Sequence, residues 1–149
     1  MIIIGYQGVG KSTLAGKDKF IDLESGNMWV NGNRADDWYI PYCQIAVHLS
    51  MQGFTVFTSS HKVVRNYLKN YTEKIVVCYP SIELQSEWIE KLQTRWTKTG
   101  LEKDYKALVN AKDRYLENIK ELKGEREFYH LVITNMDYDL KEMINTELN

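Results

Sequence analysis

Cysteine is nearly absent: Cys43 and Cys78 are the two in 149 residues. Two thiols cannot build a disulfide framework, and both fall in stretches that read as regular structure, so reduced, buried side chains are expected. Long apolar runs are missing as well. "MIII" and "KIVVCY" are far too short to span a bilayer. No leader-type apolar segment with a cleavage site precedes the glycine-rich stretch near residue 5, so the cytoplasm is the expected compartment. Neither charge sign dominates, with 19 Lys and Arg against 20 Asp and Glu, a net charge of −1. No DNA-coating surface, and no nucleic-acid partner, is expected from that balance, although a local basic patch is compatible with it. His48, His61 and His130 are scattered, so there is no zinc constellation. No nucleophile elbow is visible.

Repeats and low-complexity linkers are also lacking. The composition, 44% hydrophobic and 26% charged, is that of a globular chain long enough for one core, and a single domain over 1–149 is expected. Apolar, β-branched runs alternate with amphipathic segments, the signature of a parallel α/β sheet with crossover helices. Strands are predicted at 2–5, 20–23, 54–58, 74–79 and 128–134. Helices are predicted at 11–15, 37–51 (following an Asp cap), 61–68, 82–97, 102–123 and 140–148. Leu84, Trp88, Leu92 and Trp96 recur every fourth residue, an apolar face that reads first as core. Gly100 is expected to close that helix or its following turn.

The most specific segment is "GYQGVGKS", Gly5 to Ser12. It matches the Walker A pattern in full, G-x4-G-K-S, between a predicted strand and a predicted helix. Glycine admits backbone conformations closed to other residues, so successive N–H groups can face one anion. The residues expected to cradle a nucleotide's phosphates are Gly8, Val9, Gly10, Lys11, Ser12 and Thr13. Lys11 is expected to reach the β- and γ-phosphates, and Ser12 to hold Mg²⁺.

Further motifs narrow the class. "FIDLES" ends the second predicted strand with Asp22 and Glu24 two residues apart, hence facing the same way. One carboxylate is suited to positioning Mg²⁺, the other to holding or deprotonating an acceptor. A base-reading NKxD is missing, because "NMDY" at 135–138 lacks the lysine. The third strand, "FTVFTSS", ends in hydroxyls where a motor-type Walker B would end in an acid.

"GYQGVGKST…FIDLES" resembles the opening of the small P-loop kinases, namely the nucleoside monophosphate kinases and the shikimate and gluconate kinases. It also resembles small phage-encoded P-loop proteins of nucleotide-kinase type. The resemblance implies a three-layer α/β P-loop kinase fold, its five-stranded parallel sheet ordered 2-3-1-4-5 with helices on both faces. It further implies an acceptor-binding insertion at about 25–38 and a mobile arginine-bearing lid at about 91–104. ATP and Mg²⁺ would be the cofactors, with Mg²⁺ on Ser12 and Asp22, and the address would be the host cytoplasm for a phage-encoded chain. Asp22 fits the first acid of the family's D-x-D pair; Glu24 stands in for the second.

On that mapping Lys11, Asp22, Glu24 and Arg95 are the catalytic candidates. Arg34, Trp38 and Arg65 are the acceptor-binding ones, with Trp29 an alternative to Trp38 for stacking on a base. Lys91 and Lys98 lie near Arg95, and "NGN" at 31–33 is a turn signal. His61 follows the "TSS" of the third strand, where a lone histidine at a helix start is more often structural. Two acceptor classes stay open: the arginines suit a nucleoside monophosphate, whereas the acidic pair suits a hydroxyl on a nucleoside, sugar or nucleic-acid end. A nucleotide-binding protein with little turnover is the reading from another class. Oligomeric state is left open.

Overall fold

A computed structural model describes all 149 residues. Five runs pair into one sheet: β1 (Ile2–Gly5), β2 (Phe20–Asp22), β3 (Thr55–Thr58), β4 (Ile75–Pro80) and β5 (Tyr129–Ile133). Their order is β2-β3-β1-β4-β5, and every pairing is parallel. Ile2–Ile4 stand opposite Val56–Thr58 on one side and Ile75–Val77 on the other. Of the three inner strands, β1 and β4 are buried throughout, which is why they read as unbroken apolar runs rather than as alternation. The edge strand β5 buries Leu131 and Ile133 but leaves Tyr129 61% exposed.

Six helices surround the sheet: α1 (Lys11–Leu14), α2 (Tyr39–Met51), α3 (Lys62–Leu68), α4 (Gln85–Thr99), α5 (Glu102–Lys123) and α6 (Leu140–Glu147). Together with the strands they enclose a single cluster of 34 buried apolar residues. Cys43 and Cys78 are free and buried within it. None of the helices is long and apolar enough to cross a membrane.

Most predicted boundaries fall within two residues of these elements, and the differences have local causes. The expected Asp cap of α2 is not formed. Trp38 at the N-cap already has helical angles and no side-chain cap is made, because a turn through Ala35 and Asp37 feeds the chain directly into the helix. Pro41 is tolerated in the first turn, where its missing N–H has no intrahelical partner to lose. The segment beginning at Ile82 opens as a 3-10 turn over Ile82–Leu84 before α4 starts. Gly100 (φ 62°) then ends α4 in the left-handed conformation. α5 is bent where Arg114 leaves helical angles (φ −136°, ψ 18°). At α6 Asp139 accepts from the Glu142 N–H, a proper N-cap.

The connections fix where a ligand can sit. β1 leaves toward β2, while its neighbour β3 leaves toward β4 on the other side. At such a switch point the chain parts above the carboxyl ends of the strands and opens a crevice. Tyr42 of α2 ties one rim together: its hydroxyl donates to Leu23 O (2.6 Å) and accepts from the Ser59 N–H (2.9 Å), joining the ends of β2 and β3.

One ion-pair network locks α3 against the end of α5. Buried Arg65 donates to Glu125 Oε1 (2.6 Å) and to Ser60 O (3.0 Å), with Glu121 at 3.4 Å. Lys69 holds the other Glu125 oxygen at 2.9 Å. Burial raises the Glu125 pKa, but hydrogen bonds from Lys69 and Arg65 outweigh it and leave the carboxyl below its ordinary 4.5. Its contribution to stability is therefore complete above pH 4.5 and is lost as pH falls through the depressed folded-state value. Removing one partner of a buried pair strands the other charge. Glu125→Gln is expected to destabilise the fold by about 3 kcal/mol and to flatten the acid limb of stability against pH. Urea unfolding of both proteins across that range checks this.

Candidate functional site

The glycine loop lies at the carboxyl end of β1. Gly8 (φ 90°) and Gly10 (φ 112°) adopt conformations that L side chains rarely take. Crowding adds to the requirement at Gly8, where a Cβ would lie 3.0 Å from Leu92 Cδ2 and 3.1 Å from Trp88 Nε1. Two hydrogen bonds from behind hold the loop's carbonyls outward. Trp88 Nε1 donates to Gln7 O (2.9 Å), and the Tyr138 hydroxyl donates to Val9 O (2.8 Å). In a trans peptide C=O and N–H point in opposite directions. Pinning Gln7 O and Val9 O therefore turns the N–H groups of Gly8 and Gly10 to the opposite side of the loop, away from Trp88 and Tyr138.

Those of Gly8, Gly10, Lys11 and Ser12 donate to no protein carbonyl. Val9 and Thr13 differ: Val9 N–H bonds Tyr6 O and Thr13 N–H bonds Gly10 O, so these two spend their donors on the loop itself. Lys11 folds back so that Nζ meets Gly5 O at 3.1 Å. Burial lowers the Lys11 pKa, with Asp22 and Glu24 opposing and Arg95 adding to the shift. Asp22 is shifted the other way, its pKa raised by burial against the pull of Lys11. The acidic pair and the loop lysine thus sit within one another's fields.

Loop and carboxylates share a cleft of about 900 Å³, within the usual range for small-molecule sites. Eight lysines and arginines line it against five carboxylates, in a chain whose net charge is −1. The cleft lining therefore carries an excess of cations and suits an anionic ligand.

Other sequence candidates take distinct positions. Glu24 reaches across to Lys103 of α5 (3.5 Å). Arg95 lines the cleft paired with buried Asp104 (3.0 Å), which is also held by the Thr99 hydroxyl. Lys91, by contrast, lies behind the loop: its Nζ donates to the Tyr138 hydroxyl at 2.6 Å and stands over the Trp88 and Tyr138 rings. Burial pushes its pKa down to about 8. Arg65 is on the cleft wall with its guanidinium engaged by Glu125, Glu121 and Ser60 O.

In the 25–38 segment Val30 and Asn33 pair across a tight turn with positive φ at Asn31 and Gly32, as the "NGN" signal predicts. That turn stacks the Arg34 guanidinium between two indoles, 4.1 Å from the Trp38 ring centre and 4.7 Å from that of Trp29. Trp38 is buried beneath it against Tyr42 and His61, whereas half-exposed Trp29 lines the cleft. His61 also lines the cleft, bonded through Nδ1 to Ser59 Oγ (2.8 Å). Burial, with Arg34, Lys11 and Arg65 around it, lowers its pKa, so it is neutral at pH 7.

Sequence reasoning missed Trp88 and Tyr138 as loop supports, and Asn110 and Asn118 as cleft residues. Trp88 carried a weak signal, since a buried indole N–H needs an acceptor. Hard oxygen donors at Ser12 and Asp22 both line the cleft, and no group of three or more His, Cys, Asp or Glu forms a metal cage. That donor set fits Mg²⁺, which keeps waters and substrate oxygens as ligands, better than a fully protein-ligated ion. Neither protein-family models nor curated proteins return a match to this chain.

Gly8→Ala combines a left-handed backbone with a crowded Cβ. It is expected to destabilise the fold by about 1–2 kcal/mol and, if the loop holds phosphate, to weaken ATP–Mg²⁺ binding by more than the loss of folded protein explains. Thermal melting and calorimetric titration with ATP–Mg²⁺ separate the two effects.

Proposed function

We propose that this chain is a small P-loop phosphotransferase that moves the terminal phosphoryl group of ATP to a nucleoside or deoxynucleoside monophosphate. One observation carries the reading. Four unpaired loop N–H groups and Lys11 share one cationic cleft with two carboxylates, at the switch point of a 2-3-1-4-5 parallel sheet.

The main-chain donors of Gly8, Gly10, Lys11 and Ser12 bind the donor's phosphates, and Lys11 leaves Gly5 O to meet them. Ser12 and Asp22 hold Mg²⁺, which when bound neutralises phosphate charge. An acceptor oxygen forms the new P–O bond as the bridging P–O bond of the donor breaks, and the electron pair departs with ADP. Arg95, steadied by Asp104, faces the charge that develops on the moving group. Arg34, held flat between two indoles, takes the acceptor's phosphate. Arg65 positions the end of β3 through Ser60 O, its own charge being matched by Glu125. Within segment 91–104 the turn joining α4 to α5, with Arg95 at its edge, serves as the lid, while Lys91 and Leu92 stay packed behind the glycine loop.

A second reading keeps the chemistry and changes the acceptor to a hydroxyl. It is favoured by Asp22, whose pKa, raised by burial, brings it closer to the range of a useful general base. An acceptor screen with ATP–Mg²⁺ tests both. Nucleoside monophosphates are expected to be phosphorylated, and Lys11→Ala is expected to lower kcat/KM about 100-fold or more. Transfer only to nucleosides, sugars or 5′-hydroxyl ends selects the second reading. Stoichiometric ATP binding with transfer to no acceptor contradicts both and points to a nucleotide-sensing protein.

A further inference from the structure

α5 contains neither proline nor glycine between Glu102 and Lys123, yet it bends at Arg114. Helix bends without such breakers come from side chains or water that intrude on the ladder. Here Asn118 Nδ2 donates to Asn110 Oδ1 at 2.7 Å. Eight residues of straight helix rise about 12 Å, a span two asparagine side chains cannot close without curvature. The same Asn110 oxygen accepts from Gln7 Nε2 (3.0 Å), which also donates to Ala107 O (3.1 Å). The bend is thus tied to the glycine loop itself, one residue before Gly8.

Gln7, Asn110 and Asn118 all line the cleft. With Asn110 Oδ1 accepting two bonds, its Nδ2 keeps both donors free, and the Oδ1 of Asn118 and the Oε1 of Gln7 make no bond. Ala107 supplies apolar surface on the same cleft, with Tyr6 and Leu122 buried beneath it. Donors and acceptors without charge, beside apolar surface and within a cationic cleft, match the edge of a nucleobase rather than a phosphate. Glu24, paired with Lys103 one turn before Ala107, puts this strip beside the carboxylates and so on the acceptor's side.

We infer that Asn110 and Asn118, on the concave side of bent α5, read the base edge of the acceptor and set which nucleotide is phosphorylated. The inference rests on the phosphotransferase reading and adds base selectivity to it.

The test compares transfer from ATP–Mg²⁺ to monophosphates of the four bases, with abasic deoxyribose 5-phosphate as a base-free acceptor. Wild type is expected to prefer one or two bases. Asn110→Asp replaces a donor by an acceptor, and Asn118→Asp removes the amide that bonds Asn110 across the bend. Each is expected to shrink the ratio between best and worst base at least tenfold, while kcat/KM for the abasic acceptor changes far less. Circular dichroism verifies the fold, and Asn110→Ser carries the test if the aspartate variant does not fold. Robust transfer with selectivity unchanged in these variants overturns the inference and leaves the phosphotransferase reading standing. A wild type that does not discriminate among bases also overturns it. A wild type that phosphorylates no monophosphate removes both.

Discussion

Two hydrogen bonds behind the glycine loop govern the rest of the site. The indole N–H of Trp88 and the hydroxyl of Tyr138 hold Gln7 O and Val9 O on the far side. Because each trans peptide carries its N–H opposite its carbonyl, those bonds set the direction of two unpaired loop donors. Each adds a net stability of only about 1 kcal/mol, but orientation fixed before a ligand arrives need not be created on binding. Lys91 completes the support by donating to the Tyr138 hydroxyl. The loop is therefore a surface feature whose shape is decided in the core.

The sheet supplies the second half of the arrangement. Central β1 delivers the loop, β2 delivers Asp22, and β3 delivers Ser59 and His61, all at one end. Tyr42 binds the ends of β2 and β3 to each other, so carboxylates and hydroxyls keep their spacing. The α4–α5 hairpin closes the opposite side with Arg95, Lys103 and the bend at Arg114. Cations gathered in a crevice with partly apolar walls act at higher strength than the same charges spread over an open surface.

Much of the fold was legible because it depends on local pattern. Unbroken apolar runs marked β1 and β4 as buried strands, and Gly100 marked the end of α4. The glycine loop was legible because its backbone demands particular residues. Side-chain partners set by tertiary approach were not: nothing near Arg65 in sequence announces Glu125, sixty residues on. Trp38 reads as a free stacking platform until Arg34 is seen over its ring. The bend at Arg114 was equally hidden, since an amide pair eight residues apart spans it and no helix breaker marks it.

Backbone amide NMR tests the central claim most directly. On addition of ATP with Mg²⁺, the ¹⁵N–¹H resonances of Gly8, Gly10, Lys11 and Ser12 are expected to undergo the largest shifts in the chain, with slowed exchange against solvent. Saturating nucleotide that leaves those four resonances in place, while shifting a set elsewhere, would contradict the account.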